Sequence, residues 1–169
     1  MKKINLILGS TFSLVLLSVL SFSCGSPQKS MSGNYTYETE CISVEGDGSQ
    51  TVKGWGSGRN REDAIEQAKK NAVSDVLFKG IRNGQTSCNS KPVLFEVNIR
   101  EKKEDYFNGF FTDAGPYTEF ITGEDGSDMH FSVVAGRKKA GDQVTYGVIV
   151  RVQRAKLKQR MIQDQIMSK

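Results

Sequence analysis

A cysteine can be a nucleophile, a metal ligand, half of a disulfide or an attachment point, and the surroundings of Cys24, Cys41 and Cys88 separate these uses. Cys24 follows Lys2, Lys3 and an uncharged, mostly apolar stretch to Phe22, and it sits in Ser21-Phe22-Ser23-Cys24-Gly25. A basic start, a short apolar run and a small-residue end read as an export signal rather than a retained span. The small residue before the cysteine and Gly-Ser-Pro after it match the cleavage box of lipid-modified exported proteins. Ser21 stands where leucine is usual, with Leu20 one place further out. Residues 1–23 are therefore expected to be the signal peptide. Cys24 is expected to carry a diacylglycerol thioether and an amide-linked acyl chain such as palmitate, an anchor of several chains. The alternatives are plain secretion and a retained signal anchor. Residues 24–34 read as a polar, glycine- and serine-rich tether, and 35–169 as a single domain.

Export would place Cys41 and Cys88 in an oxidising compartment, where an even pair suggests a disulfide. Two separately buried thiols are the alternative. A metal centre is not expected, because the single histidine, His130, has no cysteine near it in sequence. No Gly-x-Ser-x-Gly elbow accompanies His130 either, so the chain is expected to be no enzyme and to carry no cofactor. Gly54, Gly56 and Gly58 precede a helical pattern and are a candidate anion cradle. Neither the lysine of a P-loop nor the spacing of a dinucleotide fingerprint follows them. The plainer reading is a tight strand-to-helix turn with Trp55 packed nearby. Asp47-Gly48-Ser49 and Glu124-Asp125-Gly126-Ser127-Asp128 lack the register of a calcium loop and read as polar turns.

The elements that would position these residues are legible from periodicity. Thr36–Val44 and Gln50–Trp55 read as a hairpin around Glu45-Gly46-Asp47-Gly48-Ser49. Asn60 then caps a long helix whose inner stripe is Ala64, Ile65, Ala68, Ala72, Val73, Val76 and Leu77, ending at Gly80 or Gly84. Val93, Phe95, Val97 and Ile99 alternate as a strand would. Residues 101–111 look helical, and Gly115-Pro116 breaks them. Residues 128–137 alternate, with Met129, Phe131, Val133 and Ala135 inward, and Lys138-Lys139-Ala140-Gly141-Asp142 turns the chain. The last strand places Val144, Tyr146, Val148, Val150 and Val152 on one face, and a basic helix runs from Arg154 to about Met167. The expected fold class is α+β: an antiparallel sheet with one face covered by the long helix, an aromatic helical insertion, and a C-terminal helix.

The order Gly54-Trp55-Gly56-Ser57-Gly58-Arg59, then Ala64, Ala68 and Ala72 on a helix, then Val148-Ile149-Val150-Arg151-Val152 before a basic helix, carries a resemblance. It resembles small bacterial envelope lipoproteins (LPP-type) grouped with the N-terminal domain of the flagellar assembly protein FlgT, over roughly residues 50–80 and 143–160. The aromatic stretch 101–121 departs from that pattern. The resemblance implies a helix-on-sheet domain of dodecin-like or related topology and an assembly or scaffolding role. It brings no catalytic residues.

Tyr106, Phe107, Phe110, Phe111, Tyr117 and Phe120 form the richest cluster and are either core or, where exposed, a partner-binding surface. The C-terminal helix sets Arg154, Lys156, Lys158 and Arg160 against Leu157, Met161, Ile162 and Ile166. It would rest on anionic headgroups or dock on the domain. Removing Lys2 and Lys3 from 23 basic side chains leaves 21 against 19 acidic, so the charge is no argument for nucleic acid. The expected role is that of a non-enzymatic, lipid-anchored protein of the bacterial cell envelope that binds an envelope protein. The outer membrane is favoured over the inner, with the domain facing the periplasm or the surface. A periplasmic carrier of a small ligand, in a pocket between sheet and helix, is the alternative.

Overall fold

Strict alternation of valines over Gln143–Val152 is what a strand with one buried face requires, and this strand is the centre of the sheet. The computed structural model describes residues 37–123, 132–140 and 143–168, with only the backbone for 134–140. Cys24, the tether, Glu124, Asp125, Met129, His130 and Phe131 lie outside the described residues. In chain order the elements are β1 (Glu40–Val44), β2 (Gln50–Gly58), α1 (Arg61–Phe78) and β3 (Asn83–Gly84). Then come α2 (Ile99–Lys102), α3 (Glu104–Phe110), a 3-10 turn (Pro116–Phe120), β4 (Ile121–Thr122), β5 (Ser132–Ala140), β6 (Gln143–Val152) and α4 (Arg154–Gln163).

The fold is α+β, with helices packed on a six-stranded sheet whose order is β3-β1-β2-β6-β4, and with β5 also paired to β6. β2 and β6 are antiparallel along their whole common length, from Gln50 opposite Val152 to Gly58 opposite Val144. The other edge of β6 is shared, by β4 at Arg151–Val152 and by β5 from Gln143 to Ile149. β3 adds the one parallel pairing described, Glu40 with Asn83 and Cys41 with Gly84.

α1 closes one face of the sheet. Asn60 stays extended and its side chain accepts from the N–H of Asp63, which satisfies one of the helix's unpaired donors. Ala68, Ala72, Val73, Val76 and Leu77 are buried in one cluster with Val52, Val148, Val150 and Val152, and Ala64 is buried against Gly56 and Gly58. At the other end Gly80 has φ of +75°, and its N–H joins that of Lys79 on the carbonyl of Asp75.

Four expectations are corrected. β2 continues through Gly58, so the three glycines belong to a strand rather than a turn. Residues 93–97 form no strand. The N–H groups of Val93 and Leu94 donate to the carbonyls of Val76 and Leu77, at 3.1 and 2.9 Å. Those are last-turn carbonyls of α1 with no partner inside the helix, and the alternating segment satisfies them instead of joining the sheet. β5 runs on through Lys138 and Lys139 to Ala140, which pairs with Gln143. In β6 the inner face is Val148, Val150 and Val152, whereas Val144 and Tyr146 are half-buried. On the opposite face Thr145 and Gly147 are buried, Thr145 bonded to Ser57 at 2.7 Å and Gly147 beneath the Trp55 ring.

Candidate functional site

Cys41 on β1 and Cys88 in the loop after β3 form a disulfide that spans 47 residues of sequence. Both are buried, and pairing removes them from nucleophilic or metal chemistry. Gly54, Gly56 and Gly58 face α1. A Cβ placed on Gly56 would lie 2.2 Å from the backbone nitrogen of Ala68 and 2.4 Å from the carbonyl oxygen of Ala64. The helix backbone occupies the space that a phosphate would need, so the glycines serve close packing and not an anion cradle. The same contact fills the sheet–helix interface, where the carrier reading wanted its pocket. Asp47 is used within its own turn, accepting from the N–H and the hydroxyl of Ser49. Those bonds hold its carboxyl below the ordinary carboxylate range.

The aromatic cluster is core. Phe107, Phe110, Tyr117 and Phe120 are buried, and Tyr106 and Phe111 are partly buried against them. Rings meet edge-on or offset, as at Phe78–Phe107 (4.9 Å), Tyr106–Phe110 (5.9 Å) and Phe110–Phe120 (5.9 Å). The expectation of a partner surface on residues 106–120 is therefore overturned for the four buried rings. Tyr117 donates to Glu66, and Tyr106 donates to Asp164 at 2.6 Å. Burial first, then these carboxylate partners, push both phenols well above their ordinary value. They remain protonated donors and offer no base or nucleophile.

Asp164 ties this core to α4, accepting from Tyr106 and from Arg160 Nε at 2.7 Å. Burial alone would raise its carboxyl, but the two hydrogen bonds and the Arg160 charge together hold it below the ordinary carboxylate range. A lowered carboxylate stabilises the fold fully above that ordinary value and loses its contribution as pH falls through the lower folded value. The melting midpoint should therefore fall on acidification from about pH 4 to about pH 2. Asp164→Asn should melt lower at neutral pH and show a shallower acid slope, with Glu45 and Asp47 supplying the remainder. An unchanged slope in Asp164→Asn would remove Asp164 from the account.

What the structure leaves outside is a pair that alternation had placed in a strand. Phe95 is 66% exposed and Val97 is 77% exposed, between buried Leu94 and Ile99. Their loop is fixed on both sides. Val93 and Leu94 hold the end of α1, and Arg154 Nη2 donates to the carbonyls of Lys91 and Pro92. Asn98 turns the chain at φ of +58°, and Lys102 pairs with Glu96 at 2.6 Å. The arrangement holds two large apolar side chains, two residues apart, out in water. The missed signal was Leu94: an apolar residue between Val93 and Phe95 spoils a two-faced strand.

A cleft of about 690 Å³ lies at the C-terminal end of α1 between Tyr37, Glu38, Thr39, Asp75, Lys79 and Arg82. Asp75 is engaged there by Thr39 Oγ1 at 2.5 Å and by Lys79 Nζ at 2.8 Å. Among the described residues no cluster of three or more His, Cys, Asp or Glu is placed to hold a metal. Among the same residues no helix is long and apolar enough to cross a membrane. No family model, no curated protein and no solved structure matches the chain.

Proposed function

We propose that the chain is a non-enzymatic lipoprotein of the bacterial cell envelope, anchored through Cys24, whose domain docks a protein partner through Phe95 and Val97. The observation that carries this reading is the outward pair itself. Among the described residues the other large apolar side chains left exposed are Tyr37 and Val44, at 37% and 39%, yet Phe95 and Val97 stand far further out and are held in water by a loop hydrogen-bonded to the end of α1. Pre-ordered apolar anchors lose little entropy on binding, which is how a few residues come to dominate an interface. The surroundings favour a protein over an anionic lipid surface: Lys91, Arg100, Lys102 and Lys103 are balanced by Glu96, Glu101, Glu104 and Asp105.

The test is photo-crosslinking in cells, with a benzoylphenylalanine in place of Phe95 and a second in place of exposed Glu104. A discrete adduct is expected from position 95 alone, and it should disappear in Val97→Asp. Phe95→Ala should weaken that partner by about 2 kcal/mol or more, while leaving stability within about 0.5 kcal/mol because the side chain is exposed. Equal labelling from both positions would sink the docking role. Incorporation of labelled palmitate, lost in Cys24→Ala, tests the anchor separately.

A further inference from the structure

β2 and β6 have two faces, and α1 covers one of them. Gly54, Gly56 and Gly58 turn toward the helix, so alternation sends Lys53, Trp55 and Ser57 to the other side. Their partners across the ladder, Ile149, Gly147 and Thr145, share that side. Among the described residues no second helix lies along these two strands. The far face has no helical layer over it, and Lys53, Trp55 and Ile149 are half-buried there.

The centre of this face is aromatic. The Trp55 indole lies over Gly147, where an added Cβ would stand 3.1 Å from its ring. Tyr37, 37% exposed, meets the indole with ring centroids 4.7 Å apart, and the Lys53 ammonium stands 5.3 Å from the indole centroid. The charges around the rings are paired within the face, Lys53 with Glu40 at 2.7 Å and Arg151 with Glu45 at 3.8 Å. Such a surface offers little to a strongly charged partner. It matches the boundary between lipid headgroups and acyl chains, where the amphipathic rings of Trp and Tyr collect.

The place where the chain reaches this face selects a membrane over other occupants. Tyr37 is the first described residue, and residues 25–36 separate it from Cys24. A glycine- and serine-rich chain of that length spans about 17–21 Å root mean square. A domain of this size has a radius of gyration of about 14 Å. A lipid on Cys24 would keep Tyr37 within roughly the domain's own size of the bilayer, at an effective concentration in the millimolar range. Contact with the surface then needs little affinity of its own.

We infer that the Tyr37–Trp55 face rests on the bilayer at the headgroup–acyl boundary. The inference rests on the Cys24 anchor and is independent of the docking role of Phe95 and Val97.

Trp55 is the chain's only tryptophan, so its fluorescence reports this face alone. The protein is produced from the full chain and placed in vesicles of phosphatidylethanolamine and phosphatidylglycerol. The vesicles are doped with phosphatidylcholine brominated either near the headgroup or near the end of the acyl chains. Shallow bromines should quench Trp55 strongly and deep ones weakly. Tyr37→Ser should weaken the contact by up to about tenfold, the worth of the ring area now in water, and Tyr37→Phe should retain it. Intact mass reads lipidation in the same sample. A Cys24 without lipid would end the anchor reading, and coupling its thiol to a maleimide-bearing lipid then supplies the tether on which the face is tested. Quenching absent at both depths on a tethered chain would overturn the inference. So would an emission shift that appears only as protein density rises, the mark of two copies meeting face to face.

Discussion

Gly56→Val should leave the domain unfolded at room temperature, and Gly56→Ala should destabilise it by about 3 kcal/mol or more. Ordinary overpacking costs about 1–3 kcal/mol because side chains can yield. At Gly56 the obstacle is backbone, with Ala68 N, Ala64 O and Gln67 C all within 2.7 Å of an added Cβ. Moving α1 outward would also break the contacts of Gly54 with Ala68 and Ala72, and of Gly58 with Asp63 and Ala64. The three contacts share one register. Two residues of strand advance about 6.6–6.8 Å and four residues of helix about 6.0 Å, so glycines two apart stay opposite alanines four apart. Total stability of a domain this size is about 5–15 kcal/mol, and a valine strains the contact at its middle. Gly109→Ala is the control: nothing lies within 4 Å of its Cβ, and alanine in a helix should stabilise by about 0.5–1 kcal/mol. Urea melts of the three variants decide it. A Gly56→Ala midpoint equal to that of the unsubstituted protein would mean that α1 does not lie this close to β2.

The alanine stripe was readable because helical spacing is local: Ala64, Ala68 and Ala72 announce one face without reference to anything else. The glycines were misread because a strand made of Gly-x-Gly-x-Gly looks like a loop until its partner is known. Their meaning lies in the complement, small against small, which is a tertiary fact. Residues 93–99 failed for a related reason. Period-two alternation reports which side chains share a face, but not where the backbone hydrogen bonds go. Here they went to the open carbonyls of α1, which left Phe95 and Val97 outside. The aromatic stretch was legible in composition and not in exposure, because only the tertiary fold decides that Tyr117 is buried with its hydroxyl on Glu66 while Phe95 is largely exposed.

Removing the Cys41–Cys88 bridge should cost about 4 kcal/mol, because a loop of this length restricts the unfolded chain strongly. For a domain of this size that lowers the melting midpoint by roughly 12–20 °C. A second, local effect follows from what the bridge holds. β3 is only two residues long and meets β1 through Asn83 and Gly84, with Gln85 N–H donating to the carbonyl of Cys41 at 3.0 Å. So short a parallel pairing has little stability of its own, and Gly84 is confined besides, with φ of +85° and the Cys41 carbonyl oxygen 2.3 Å from where a Cβ would stand. With both cysteines changed to serine, amide exchange at residues 83–88 should accelerate more than at β2 or β6. The anchors beyond it, Ile81 N–H on Asn89 and Val93 N–H on Val76, should hold the flanks, so that the Phe95–Val97 loop keeps its place. Exchange that rises equally in β6 and in β3 would mean the bridge acts on the unfolded chain alone. A midpoint lowered by less than about 3 °C would mean the native loop is already so restrained that the covalent link adds little.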